Sequence, residues 1–171
     1  MIRKANISDA SAIAHIRIDS WRTAYKGLIP DSFLNGLDYK MQENKVMNRI
    51  NGTDKNFTSN ILVYEEENEV LGYTYYGKAL DSLNNKYQGE VVALYVRPDK
   101  KGNGIGTQLI NKVKELLKEE GYSNMIIWCL KGNNPSLRFY EHVGGVIKEE
   151  REYEIEGLKV QEIGIVYELN D

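Results

Sequence analysis

Residues 90–106 read EVVALYVRPDKKGNGIG. The run from Val91 to Val96 is nearly all apolar and rich in β-branched residues, the pattern of a strand buried on both faces. Glycines follow at 102, 104 and 106. Beyond them Ile105, Leu109, Ile110, Val113, Leu116 and Leu117 recur at helical spacing, and Gly121 is a natural stop. The stretch therefore reads strand, bare loop, helix. Backbone without side chains lets a ligand come close. The amides at 102–107 then point toward a common centre, and the helix entrance adds about half a positive charge. A pyrophosphate suits such a place; a glycine-rich turn without a ligand is the other reading. A Walker loop is excluded because no Gly-Lys-Ser or Gly-Lys-Thr occurs. The dinucleotide fingerprint fails because Thr107 stands where its third glycine belongs.

Working outward, MIRKA suggests a first strand, and Ser8 a cap for a helix over residues 9–25. Pro30 with Asp31 or Ser32 starts a second helix running to about 50. Residues 61–79 read as a hairpin turning near Glu67 to Glu69, and 81–89 as a loop. NMIIWCL is another buried strand. Asn134 and Pro135 read as cap and first residue of a short helix ended by Gly144 and Gly145. Two last strands flank Gly157. The order is strand, two helices, three strands, helix, strand, helix, two strands. It predicts an α/β fold with a mixed sheet of about seven strands and four helices. No linker or repeat interrupts it, so residues 1–171 are expected to form one domain.

The bulk chemistry narrows the function. A net charge of −3 without a long single-sign run gives no surface for nucleic acid, and mildly favours cationic small molecules. Cys129 is the one cysteine, so no internal disulfide forms and a reducing compartment, the cytoplasm, is expected. Within MIIWCL it reads as a buried hydrophobe, with a nucleophile as the alternative. His15 and His142 lack partners at metal-ligand spacing, so no metal is expected. No signal-peptide core or membrane-span length of apolar residues occurs, so no membrane partner is expected.

Lys101, Gly104 and Gly106, with Asn133, Ser136, Phe139, Tyr140 and Gly144 in the next strand-to-helix unit, resemble the motifs of the GNAT superfamily of N-acetyltransferases. Lys101 replaces the family's usual Arg or Gln, and Gly145 replaces its usual aromatic. SWRTAYKGLIP is similar to an N-terminal element of many bacterial members. The resemblance implies acetyl-CoA seated between two splayed central strands, EVVALYV and NMIIWCL. Main chain at Leu94, Tyr95 and Val96 would pair with the pantetheine arm, and an amide near Tyr95 or Val96 would polarise the thioester. Lys101, Gly102, Asn103, Gly104, Ile105, Gly106 and Thr107 would hold the diphosphate, with Asn133, Ser136 and Phe139 completing the cofactor site.

The reaction implied is acetyl transfer to the primary amine of a small molecule. Only about one such amine in a thousand is unprotonated at pH 7. Tyr140 matches the family's acid for the departing thiolate. Glu90 stands at the register of the base in histone-acetylating members; a solvated strand-end carboxylate is the alternative. The first two helices and the last hairpin would line the acceptor pocket. Trp21, Tyr25, Tyr73 and Tyr75 are candidates to face an ammonium group, with plain packing as the alternative. Glu152 and Glu154 are weaker candidates. Polyamine, aminoglycoside, amino acid and peptide acceptors all stay open, as do a longer acyl donor and a non-catalytic acyl-CoA sensor. Homodimerisation is expected by analogy with bacterial members.

Overall fold

The computed structural model describes residues 1–80 and 86–170. Of the loop expected at 81–89, positions 81–85 lie outside the described residues. The strands are β1 (Ile2–Lys4), β2 (Asn60–Glu66), β3 (Glu69–Lys78), β4 (Gly89–Val96), β5 (Asn124–Leu130), β6 (Val146–Ile155) and β7 (Leu158–Glu168). They form one mixed sheet in the order β1-β2-β3-β4-β5-β7-β6. Five α-helices occur among the described residues: α1 (Ala10–Ala24), α2 (Asp31–Asn35), α3 (Tyr39–Ile50), α4 (Ile105–Glu119) and α5 (Asn134–His142).

The helix expected from 30 to 50 is two helices. Gly36 closes α2, and the Asp38 side chain accepts from the Met41 amide at 2.8 Å to cap α3. Ser8 is not the cap of the first helical segment. Asn6 holds that place: its side chain accepts from the Ser8 amide, and the Asp9 carboxylate accepts from the Asn6 amide at 2.7 Å. This reciprocal arrangement satisfies two otherwise orphaned donors. Arg3 then fastens Asp9 with two bonds of 2.8 and 2.9 Å.

The chain divides into two compact units, Met1–Tyr76 with Ala93–Lys112, and Gly77–Val92 with Val113–Asp171. In the first, β1, β2 and β3 run antiparallel. Glu67 and Asn68 take left-handed backbone at the hairpin tip. Period-two alternation splits β4. Ala93 and Tyr95 pack with Ile13 and Ile16 of α1, Val46 of α3, and Tyr73 and Tyr75 of β3. Leu94 and Val96 pack on the opposite side with Leu71, Ile105 and Leu109, where α4 begins. Gly72 lets α4 come this close: a Cβ there would lie 3.0 Å from Ile105 Cγ2 and 3.2 Å from the Tyr95 carbonyl.

In the second unit, β4 pairs in parallel with β5 from Gly89↔Met125 to Val91↔Ile127. β7 pairs antiparallel with β5 along its length, and β6 with β7. Met125, Ile126, Ile127 and Ile165 are buried there. Asn133, rather than Asn134, precedes α5, and Pro135 is its second residue.

Candidate active site

The exit of β4 sets the first part of the site. Leu94, Tyr95 and Val96 are half-buried. The Val96 carbonyl accepts from Ser20 Oγ at 3.3 Å, and the Arg97 amide donates to the Leu71 carbonyl at 2.8 Å. A 3-10 turn, Pro98–Lys100, follows. Lys101 is extended and exposed, and Gly102 and Gly104 take φ of +82° and +79°. Asn103 donates from Nδ2 to the Lys100 carbonyl at 3.0 Å, so its side chain braces the loop. The Gln108 amide donates to the Gly104 carbonyl at 3.0 Å, which makes Gly104 the last residue before α4. The amides of Ile105, Gly106 and Thr107 therefore open a 15-residue helix with no acceptor inside it. Main chain there offers donors that could meet an anion.

Still in the first unit, the four aromatic candidates form one cluster. Trp21 and Tyr25 meet edge to face with centroids 5.0 Å apart, and Tyr73 lies 5.2 Å from Tyr75 and 5.7 Å from Tyr95. Trp21 Nε1 donates to the Tyr95 hydroxyl at 3.0 Å, and the Tyr25 and Tyr95 hydroxyls are 3.3 Å apart. Two residues that the sequence reading passed over complete the cluster. The Arg17 guanidinium sits 4.5 Å from the Trp21 ring centre, and that of Arg49 sits 5.5 Å from Tyr75. Arg17 stands one turn before Trp21 on α1, a spacing that signals such a pair. Arg49 gives no comparable signal. One face of Trp21 and one of Tyr75 thus lie against the chain's own cations.

The second unit holds the acid and base candidates. Glu90 is 4% exposed, and its carboxylate accepts from the Leu80 amide at 3.2 Å. That burial removes the solvated strand-end reading. Tyr140 is buried near the end of α5, with Phe139 at 5.3 Å between ring centres. Its carbonyl accepts from the Tyr167 hydroxyl at 2.6 Å and the Gly145 amide at 3.0 Å. Lys114 Nζ donates to the Val143 carbonyl at 2.8 Å. Asn133 is buried at the start of α5, and Ser136 and Phe139 are half-buried on it. Burial, helped by Glu162, pushes the Cys129 thiol up to about 12, so it stays protonated and is no nucleophile. Glu152 and Glu154 are exposed, and Glu152 accepts from Gln161 at 3.3 Å.

The model of the acetyltransferase (GNAT) family matches residues 18–145, three quarters of the chain. The chain belongs to this family. It is 32% identical to the uncharacterized N-acetyltransferase YuaI of Bacillus subtilis, over 96% of this chain and 90% of that protein. It is 22% identical to the spermidine N(1)-acetyltransferase of Thermoplasma acidophilum, over 86% and 89%. The PaiA N-acetyltransferase of T. acidophilum, solved in complex with coenzyme A, shares its fold with a TM-score of 0.73 at 19% identity, covering 95% and 96%.

Within the GNAT frame one sequence departure gains a cause. Gly145 replaces the family's aromatic because Tyr167 and Ile165 fill that space. A Cβ at 145 would lie 2.3 Å from Ile165 Cγ2 and 2.8 Å from the Tyr167 ring and hydroxyl. No helix among the described residues of this GNAT protein is long and apolar enough to cross a membrane.

Proposed function

We propose that this GNAT protein moves the acetyl group of acetyl-CoA to a primary amine of a small molecule, by direct attack in a ternary complex. One observation carries the reading: three amides without helical acceptors open α4 beside an exposed loop whose two left-handed glycines carry no side chain. The coenzyme A bound to the PaiA relative supports it.

The chain's parts divide the work. The amides of Ile105, Gly106 and Thr107 hold the diphosphate, with Lys101 supplying a cation. The main chain at Leu94 to Val96 pairs with the pantetheine arm as an added strand would, a mode that needs no particular side chain. An amide near Tyr95 or Val96 donates to the thioester oxygen as negative charge grows on it; one well-placed donor is worth about 3 kcal/mol. Glu90 takes the amine proton, directly or through water. Nitrogen then bonds to the carbonyl carbon, the carbon–sulfur bond breaks, the Tyr140 hydroxyl protonates the sulfur, and the second proton that the nitrogen sheds restores the tyrosine. A lone buried Cys129 supports a reducing, cytoplasmic setting.

Thiol release from acetyl-CoA in the presence of a panel of primary amines tests this, alongside calorimetry with coenzyme A. Binding together with amine-dependent thiol release is expected. Binding with no release under any amine favours an acyl-CoA sensor, and no binding overturns the reading.

A further inference from the structure

The stretch SWRTAYKGLIP, residues 20–30, has no task in the reaction above. Its first two residues reach the exit of β4. Pairing of β4 with β5 runs from Gly89↔Met125 to Val91↔Ile127 and stops there, so the last residues of β4 lack a ladder on that side. Side chains hold them at three points. The Ala93 carbonyl accepts from Thr74 Oγ1 at 2.8 Å. Trp21 Nε1 donates to the Tyr95 hydroxyl at 3.0 Å, and the Tyr25 hydroxyl lies 3.3 Å from the same atom. Ser20, 2% exposed on α1, donates from Oγ to the Val96 carbonyl at 3.3 Å. The other polar end of that peptide, the Arg97 amide, donates to the Leu71 carbonyl at 2.8 Å. The peptide after Val96 is therefore pinned at both ends, and the side chain before it is pinned too.

The helix that carries these groups is itself fastened. Arg22 donates to the Leu34 and Leu37 carbonyls at 3.1 and 2.8 Å. A hydroxyl within a helix commonly turns back to the carbonyl four residues earlier, as Thr23 does to Asp19 at 2.7 Å. Ser20 directs its proton to β4 instead. We propose that Ser20 and Trp21 are positioning residues for acetyl transfer: they hold the exit of β4 so that the amide at Tyr95 or Val96 points at the thioester oxygen. This rests on the acetyltransferase reading above and deepens it. An oxyanion donor works because it is already in place when charge develops, and a displacement of about 1 Å can cost about 100-fold in rate. A pinned peptide cannot swing by that much.

The test reads the thioester itself and needs no acceptor. Acetyl-CoA isotope-labelled at the acetyl carbonyl is bound to the full chain, and its carbonyl stretch is recorded by infrared difference spectroscopy. A hydrogen bond to that oxygen lowers the frequency below that of free acetyl-CoA. Ser20→Ala removes one hold. Tyr95→Phe keeps the ring and removes the hydroxyl that Trp21 grips. Each should move the stretch back toward the free value, while calorimetry gives coenzyme A affinity within about twofold of the parent. With an amine that supports thiol release, kcat should fall roughly 3- to 10-fold at unchanged KM for acetyl-CoA, the worth of one hydrogen bond. If Ser20→Ala fails to fold, Tyr95→Phe decides; if no amine releases thiol, the spectrum decides. A merely structural role lowers Tm and leaves the stretch and kcat of the folded variants alone. That result overturns the proposal and leaves the acetyltransferase reading intact. A parent protein whose bound acetyl-CoA shows the free frequency overturns the β4 donor and the proposal together. No binding of acetyl-CoA overturns the acetyltransferase reading as well.

Discussion

Replacing Gly104 separates two reasons for a glycine at the entrance of α4. Its φ is +79°, and a Cβ built there meets nothing within 4 Å. Within the protein alone the cost of alanine is therefore backbone strain, about 1–2 kcal/mol for a left-handed L-residue. For a domain of this size each kcal/mol lowers Tm by about 2–4 °C, so Gly104→Ala should melt about 2–8 °C lower. Asparagine tolerates this backbone region better, so Gly104→Asn should recover part of that loss. Binding of coenzyme A should behave differently. If the diphosphate comes within contact of bare main chain, any Cβ at 104 stands in its way. Both variants should then bind about tenfold or more weakly, a loss of about 1.4 kcal/mol. Thermal melts give the first quantity and calorimetry with coenzyme A the second. Full recovery of binding in Gly104→Asn would show that only φ matters and refute the close approach. Unchanged binding in both variants would refute the loop as the diphosphate site.

Further outcomes follow from the same geometry. Tyr140→Phe keeps the ring and its packing, so coenzyme A affinity should hold while turnover falls about tenfold or more; unaltered thiol release removes its role as acid. Glu90→Gln should erase the acidic limb of the pH profile of kcat/KM, and an unaltered profile excludes it as base. Burial alone would raise the Asp9 carboxyl, but the bonds from Arg3 and the Asn6 amide hold it below its ordinary value. A carboxyl depressed by folding adds stability above its unfolded pKa of about 3.9, and that stability drains as pH falls through the folded value. Asp9→Asn should therefore be the less stable protein at pH 7, with the gap closing below about pH 4 in urea titrations at several pH values. Gly145→Ala forces a Cβ to 2.3 Å from Ile165 Cγ2. It should cost about 3 kcal/mol, the upper end for overpacking, and Ile165→Ala in the same chain should make the combined loss less than additive.

The frame of the fold was legible because its signals are local. The buried strand, the glycines and the apolar stripe of α4 lie within thirty contiguous residues, and each hairpin sits in one short window. The break between α2 and α3 was missed although Gly36 and Asp38 mark it, because a polar stretch gives the 3.6-residue period little to act on. The cap at Asn6 was missed for a neighbouring serine of similar propensity; the Asn-x-x-Asp spacing, with the last carboxylate bonded back to the first amide, was the better signal. The hold on Tyr140 was out of reach. Tyr167 lies 27 residues away, on a strand whose register against β5 depends on the whole sheet.

The same contrast explains why the acyl donor was readable and the acceptor was not. In the proposed function the diphosphate lies on main chain, and main chain leaves a trace in residue type only where a side chain is forbidden. Left-handed backbone at 102 and 104 is such a place, so the proposed donor site shows in the sequence as glycine. The aromatic candidates for the acceptor pocket and the arginines beside them are gathered from α1, α3 and β3. Arg17, Arg49, Tyr73 and Tyr75 span 59 positions and obey no spacing rule. Each taken singly has an ordinary explanation: the tyrosines as core, the arginines as solvated helix residues. Only packing of the two helices on β3 sets the guanidinium groups over the rings and leaves the hydroxyls unsatisfied. Aromatic residues read from sequence suggested a cation. The fold brings arginines to those same rings, a contact set by tertiary structure rather than by any motif.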